Sequence, residues 1–553
     1  MNDADDKSYA EVNQESLYRI FTLPEAPDST LSRIEKDLSE NLLGFLGDHI
    51  VAKEKPLQDI ERDFEKASIP EDPQFVSDHT EFLLEKLVAH SVHTASPKFI
   101  GHMTSALPYF LMPLAKLMVG LNQNLVKIET SKAFTPLERN VIGMLHHLVY
   151  QRESSFYNRW MHSAQHSLGA FCSGGTVANM TALWVARNQL LKPDGDFAGI
   201  AAEGLAAGLA HYNYKRLVVL VSERGHYSLS KAADVLGIGR KNLVAVATDA
   251  NNRIKIDALR QACQDVREQG GEVLSIVGVA GTTETGHIDP LADMADIAEQ
   301  LGIHFHVDAA WGGATLLSND YRHLLSGIER ADSVTIDAHK QMYVPMGAGL
   351  VLFKDPAMVK AIEHHAEYII RQGSKDLGSH TMEGSRPGMA MMVFSAMHVI
   401  GRRGYELLIN NSLEKARYFS RLIAEQDDFE VITEPELCLL TYRFVPKRVK
   451  QALTEANAEQ VERLTPHLNA LTRYIQKRQR ESGRSFVSRT KLTPEHYHRV
   501  PTVVFRVVLA NPLTTHEMLG EIIAEQREIA EKATSLRGAL HTEMRELGLI
   551  RDA

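Results

Sequence analysis

Apolar positions in the first 150 residues recur at helical spacing, predicting helices over 31–51, 75–87 and a long run at 107–126, joined by polar and proline-containing breaks. This stretch reads as an arm and not as an independent catalytic core. From about Ser167 the pattern changes to short β-rich runs between helical segments, at 217–221, 243–248, 274–279, 304–307, 333–336 and 349–353. Most are nearly continuous in apolar residues, the mark of strands covered on both faces, so a largely parallel sheet wrapped by helices is expected. Beyond Gly401 and Gly404, strand candidates at 437–444 and 502–509 stand among long helical runs at 458–480 and 515–547. The expected organisation is a helical N-terminal arm (1–150), a large α/β domain (151–400) and a small α+β C-terminal domain (401–553).

Bulk properties narrow the function only a little. The chain has 553 residues, more than one hydrophobic core usually holds, and its 44% hydrophobic and 24% charged residues are ordinary for a globular protein. A formal net charge of -10 with no basic stripe speaks against nucleic acid or an anionic membrane as partner and favours small molecules. Cys172, Cys263 and Cys438 have no short paired spacing, so neither a disulfide framework nor a cysteine-rich zinc site is expected, and a reducing, cytoplasmic setting fits. The first 16 residues are acidic and polar, and no later stretch reaches the roughly 18 apolar residues of a spanning helix.

Candidate chemistry lies at the ends of the predicted strands. Ser173-Gly174-Gly175-Thr176 opens a helical run at 177–191. Two glycines at a helix start let backbone N–H groups approach an anion, and Thr176 adds a hydroxyl, so this is a phosphate-site candidate, although glycines there also serve as plain turns. His226, in Gly225-His226-Tyr227-Ser228, follows the strand that ends near Val221, where an imidazole can stack on a flat ligand. Gly281-Thr282-Thr283 follows another strand and places a hydroxyl at the same edge. Asp308 closes an apolar strand, where a carboxylate is costly to bury unless a cation pairs with it. Thirty-two positions later Lys340, in Ala338-His339-Lys340, offers an amine just beyond a strand. A protonated pyridine nitrogen would be the cation for Asp308, Ala310 would let its ring pack closely, and Lys340 would form an imine with a cofactor aldehyde.

The order GGT, GHYS-x-x-KAA, GTT, HVDAA, D-x-HK resembles the group II pyridoxal-5′-phosphate (PLP) decarboxylases, over about 96–390. The resemblance implies an α/β, type-I PLP-dependent transferase fold with a mostly parallel central sheet. It also implies a homodimer with the active site at the subunit interface. Carried over by position, Lys340 becomes the Schiff-base lysine, Asp308 the partner of the pyridine nitrogen and His226 the stacking residue. Gly175, Thr176 and His339 lie at the phosphate, and Thr283 and Ala310 near the ring. Gly384 and Ser385 resemble the segment that reaches the phosphate from the neighbouring subunit, and Lys98 to Thr104 resembles the substrate-side loop.

The implied reaction is decarboxylation of a small acidic L-amino acid, with aspartate giving β-alanine and carbon dioxide ahead of glutamate and cysteine sulfinate. Lys98, His102 and Arg386 are candidates for a distal carboxylate. Relatives place a tyrosine on a mobile loop to protonate Cα, but the stretch 369–381 has none and Tyr368 lies at its edge, which leaves Lys340, His380 and His226 as donors. Carbon–carbon lyase chemistry on the same site is the alternative of a different class. Twenty-five histidines include His304 and His306 on one strand face, yet no third ligand completes a metal set, and none is expected.

Overall fold

The computed structural model describes residues 30–47, 51–53, 55–365 and 373–550. The arm is helical: α1 (Thr30–Gly47) and α2 (Leu111–Leu121) precede α3 (Phe134–Tyr150). The apolar run 107–126 yields only the short α2, because Asn122 turns left-handed (φ 41°) and ends it. Helix α3 buries one face on the large sheet, with the Tyr150 hydroxyl donating to the Ala331 carbonyl.

Seven strands form that sheet: β1 (Gly169–Cys172), β2 (Leu217–Ser222), β3 (Leu243–Val246), β4 (Glu272–Val279), β5 (His304–Asp308), β6 (Ser333–Asp337) and β7 (Gly349–Phe353), in the order β1-β7-β6-β5-β4-β2-β3. Neighbours from β3 to β6 pair in parallel, and β7 runs antiparallel to both β1 and β6. The mostly parallel sheet follows from the sequence: strands such as β2 and β7 are buried at every position, and only β3, at the edge, is open. Strand β1 was not among the sequence predictions because Gly169-Ala170-Phe171-Cys172 is too short and too small-residued to read as one.

Helix α4 (Gly175–Leu190) follows β1, and α5 (Tyr227–Val235) follows β2. The long α6 (Ala390–Ala424) bends at Gly401 (φ 68°). Beyond it β8 (Phe429–Thr433), β9 (Leu439–Phe444), β10 (Ser488–Leu492) and β11 (Thr502–Val508) make an antiparallel sheet ordered β10-β11-β9-β8. It is backed by α7 (Ala458–Ser482), α8 (His516–Lys532) and α9 (Thr534–Glu546). The predicted run 515–547 is two helices, since Ala533 (ψ 50°) breaks it.

The arm is tied to this second sheet. Ile100 N–H donates to the Phe486 carbonyl and Val508 N–H to the Ile100 carbonyl, while Phe99 stacks on Phe486 with centroids 4.8 Å apart. The segment around Gly101 is thereby pinned beside the carboxyl ends of β4, β5 and β6, the edge at which α/β sheets bind ligands.

Candidate active site

Four loops and one helix start meet at that edge. Strand β5 delivers Asp308, which is buried; Ala310 N–H donates to its Oδ1 at 3.2 Å and Asn179 Nδ2 to its Oδ2 at 2.8 Å. Among the described residues Asp308 has no ion-pair partner, so it is a buried carboxylate still short of a cation. Strand β6 ends at Asp337, and the turn after it carries His339 and Lys340. Lys340 Nζ lies 3.0 Å from Asp337 Oδ2, and His339 Nε2 is 3.6 Å from the same oxygen.

Helix α4 starts against this pair. A side chain at Gly175 would put its Cβ 2.8 Å from Asp337 Oδ2 and 3.2 Å from Ala310 Cβ, so only glycine fits the approach. Thr176 is the second residue of the helix, and the Ser173 N–H ahead of it donates to Glu383 Oε2 at 3.0 Å. His226 caps α5, its Nδ1 accepting the Ser228 N–H. Burial lowers its pKa; Asp308 and Asp337 pull the other way, while Lys340 adds to the lowering. Burial likewise lowers His339.

On the substrate side, Arg506 from β11 donates from Nε to the Thr283 carbonyl at 2.6 Å and from Nη1 to the Gly101 carbonyl at 3.2 Å. Burial pushes its pKa down to about 10, so it remains a cation at neutral pH. His102 stands at the mouth of the site; desolvation, then Arg506, then Lys340 depress its pKa. The other two distal-carboxylate candidates are not brought in. Lys98 pairs with Glu521 on α8, and Arg386 donates from both terminal nitrogens, Nη1 and Nη2, to buried Glu138, so each charge already has a carboxylate partner within this chain. Ser385 accepts from Asn124 Nδ2 at 2.9 Å, and a Cβ built on Gly384 meets open space. His380 is buried against Ser379 and Glu363, away from these loops, and Tyr368 lies outside the described residues. His304 and His306 share the Ser333 hydroxyl, and among the described residues no group of three or more His, Cys, Asp or Glu is arranged to hold a metal ion.

A strand-end lysine, a buried carboxylate lacking a cation and a glycine-lined helix start define a site for an aldehyde cofactor that carries a ring nitrogen and an anionic tail. The chain belongs to the pyridoxal-dependent decarboxylases, whose conserved domain matches residues 57–445. It is 66% identical to the aspartate 1-decarboxylase of Aliivibrio fischeri over 96% of both chains, and 27% identical to the human acidic amino acid decarboxylase GADL1 over 80% of this chain and 79% of that one. The fold matches crystal structures of mouse CSAD (TM-score 0.79, 24% identity, 91% of this chain and 99% of that one) and of Oryza sativa TDC with PLP and tryptamine (TM-score 0.77, 19% identity, 92% and 99%).

The cofactor is therefore PLP and the protein a PLP-dependent decarboxylase. The residues fit it: Asp308 lacks the cation that a pyridinium supplies, Gly175 leaves a cradle that any Cβ would fill, and Lys340 holds a primary amine beside a carboxylate. Sequence reasoning did not single out Asn179, Arg506 or Ser333, and met Asp337 only as the first letter of D-x-HK. An arginine alone in the otherwise apolar run Thr502–Val508 was the available signal for Arg506.

Proposed function

We propose that the chain converts L-aspartate to β-alanine and carbon dioxide. The observation that carries this is 66% identity, over 96% of both chains, with a protein named aspartate 1-decarboxylase. L-Glutamate and cysteine sulfinate are the alternatives, and the relatives named acidic amino acid decarboxylase support an acidic side chain in general.

When bound, PLP would supply an aldehyde for the substrate amine and an electron sink for the bonds at Cα. The chain's own residues do the rest. Lys340 would hold the cofactor through its amine, Asp308 would hold the ring nitrogen, and His226, Ala310 and Thr283 would hold the ring. Gly175, Thr176 and His339 receive the phosphate, joined by Gly384 and Ser385 of a second copy. Arg506 is the cation best placed for the substrate α-carboxylate, since two neutral carbonyls fix it beside Thr283 and His102's loop. It orients the bond to be broken. Of the three proton donors considered, Lys340 and His226 lie in the cluster and His380 does not.

A homodimer of three-part protomers divided near residues 150 and 400 completes the reading, supported by the bend at Gly401 and by an exposed apolar face on the arm. Three unpaired, buried cysteines accord with a cytoplasmic setting.

The test is carbon dioxide release with identification of the amine when aspartate, glutamate and cysteine sulfinate are offered side by side. β-Alanine as the preferred product is expected; GABA or hypotaurine in its place overturns the substrate, and no carbon dioxide from any of the three overturns the acidic class.

A further inference from the structure

Behind Asp308 lies a run of buried polar groups whose hydrogens can be placed one at a time. A carboxylate only accepts, so the Asn179 amide turns its NH2 toward Asp308 Oδ2 (2.8 Å) and its oxygen toward His306 Nε2 (3.1 Å). His306 must then carry its proton on Nε2. Burial keeps this ring neutral, with its pKa pushed down to about 4, which leaves Nδ1 bare. Nδ1 therefore accepts the Ser333 hydroxyl at 2.9 Å and makes no bond to the Ser333 carbonyl at 3.2 Å. Ser333 Oγ in turn accepts from His304 Nε2 at 2.8 Å. Every donor along His304, Ser333, His306 and Asn179 points toward Asp308.

The second amide hydrogen of Asn179 goes to Ser228 Oγ at 3.0 Å. That hydroxyl lies 2.9 Å from His226 Nδ1, and the Ser228 backbone N–H lies 3.3 Å from the same atom. A backbone N–H can only donate, so Nδ1 accepts and the proton of the neutral His226 ring sits on Nε2. Asn179, on the second turn of α4 and 1% exposed, thus donates to Asp308 and, through the Ser228 hydroxyl, is linked to His226 at once.

We propose that Asn179 is a positioning residue for the proton arrangement of the site, holding Asp308 as the acceptor for the cofactor ring nitrogen and, through the Ser228 hydroxyl, supporting the Nε2–H form of His226 that the Ser228 backbone N–H sets. His306 and Ser333 lock the orientation of the amide. The titratable and charged groups around this unit are Lys340 and Asp337 at the carboxyl end of β6 and His304 on β5, with Asp332 acting on His304. The inference rests on Asp308 being the partner of the ring nitrogen.

The experiment uses PLP-loaded protein and reads two quantities besides turnover: the dissociation constant of PLP, and the pH midpoint of the visible absorption of the bound cofactor. Asn179→Leu, nearly the same size, removes both donors. Loss of a hydrogen bond to a charged group predicts roughly ten- to a hundred-fold weaker PLP binding and a midpoint displaced by about one pH unit or more. His306→Leu frees the amide to turn over and should move the midpoint in the same direction by less. His306→Gln returns a donor to the Nε2 position and should restore wild-type behaviour, which a purely structural role would not require. If Asn179→Leu does not fold, the His306 pair carries the test.

Wild-type affinity and an unmoved midpoint in Asn179→Leu, or in both His306 variants, overturn the proposal. Asp308→Asn separates the two levels. If it leaves both readouts unchanged, the ring-nitrogen assignment itself fails; if it moves them while the Asn179 and His306 variants do not, only the role of Asn179 fails.

Discussion

Arg506 sits in the middle of β11 between apolar neighbours, its guanidinium held by the carbonyls of Thr283 and Gly101. A buried cation is costly without a counter-charge. Glu284, the carboxylate whose charge acts on it, is already paired with Arg224 at 3.1 Å, and on the proposed reading a substrate carboxylate would supply the counter-charge. Arg506→Gln should therefore lower kcat/KM for the preferred amino acid by roughly 10²–10³, the usual cost of removing one partner of a buried charge-assisted contact. Arg506→Lys should recover only part of this, because a point charge does not reproduce the guanidinium fork. The absorption of the bound cofactor serves as control and should persist in both variants. A kcat/KM within threefold of wild type in Arg506→Gln would remove Arg506 from the substrate's contacts. Lys340 is constrained in another way: its Nζ is 3.0 Å from Asp337, a pairing that would have to change if Lys340 is the lysine that takes the cofactor aldehyde, as proposed.

Helix α4 carries two of the proposed contacts on one element, the phosphate cradle at Gly175 and, one turn later, the amide of Asn179. Gly175→Ala should damage the first with little harm to the fold. The new Cβ would lie 2.8 Å from Asp337 Oδ2, an oxygen already held by Lys340 Nζ at 3.0 Å. At least a tenfold loss of PLP affinity is expected, against a stability change of about 1–3 kcal/mol from overpacking; PLP titration and thermal unfolding of the same preparations measure the two. Unchanged affinity would show that α4 does not approach the cofactor closely.

The legibility of such elements in the sequence depended on burial. Strands β2, β4, β5, β6 and β7 could be read because both faces are covered and their apolar runs are nearly unbroken. Strand β10, Ser488-Arg489-Thr490-Lys491-Leu492, was missed because most of its positions keep polar side chains at least partly open, and β8 because glutamate and threonine interrupt it. The same logic divides the site. Asp308 closes a strand, and His226 and Lys340 stand a few residues past strand ends, where an apolar run stops at a titratable residue. Asn179 and Arg506 lie inside elements, where only the partners brought up by the fold reveal why a polar group is there. Arg386 looked available in sequence for the converse reason: Glu138, 248 positions earlier, is invisible as its partner until the chain is folded.

Across the whole molecule, buried neutral histidines tie stability to pH. His146 sits between the Tyr157 hydroxyl and the Phe353 carbonyl, and burial pushes its pKa down to about 3; His287, His306 and His380 are pushed to about 4. An unfolded histidine takes its proton near pH 6.5, so below that the unfolded chain binds more protons and stability falls as the pH falls from about 6.5 toward 3. His146 alone should account for about 2 kcal/mol of loss between pH 7 and pH 5. His146→Phe should lose correspondingly less over that interval in urea unfolding at fixed protomer concentration, and an identical loss in both proteins would contradict it. Assembly is the other whole-molecule property. Tyr109 is 81% exposed and Val119 71%, and Leu107, Met112, Leu117 and Leu121 on the same short segment are exposed as well, which leaves this stretch of the arm with unusually many open apolar side chains. If the protein were a monomer, Val119→Glu would only add a surface charge and change stability by about 0.5 kcal/mol or less. With a second copy seated there, the same change buries an unpaired carboxylate at the interface and should split the dimer. Light scattering on a sizing column should give twice 61.7 kDa for the wild type and a concentration-dependent fall toward 61.7 kDa for the variant. On the proposed reading that Gly384 and Ser385 of the partner subunit reach the phosphate, PLP affinity and turnover should fall in step with dissociation. A wild-type chain that runs at 61.7 kDa with full activity would dismiss both the interface and the shared site.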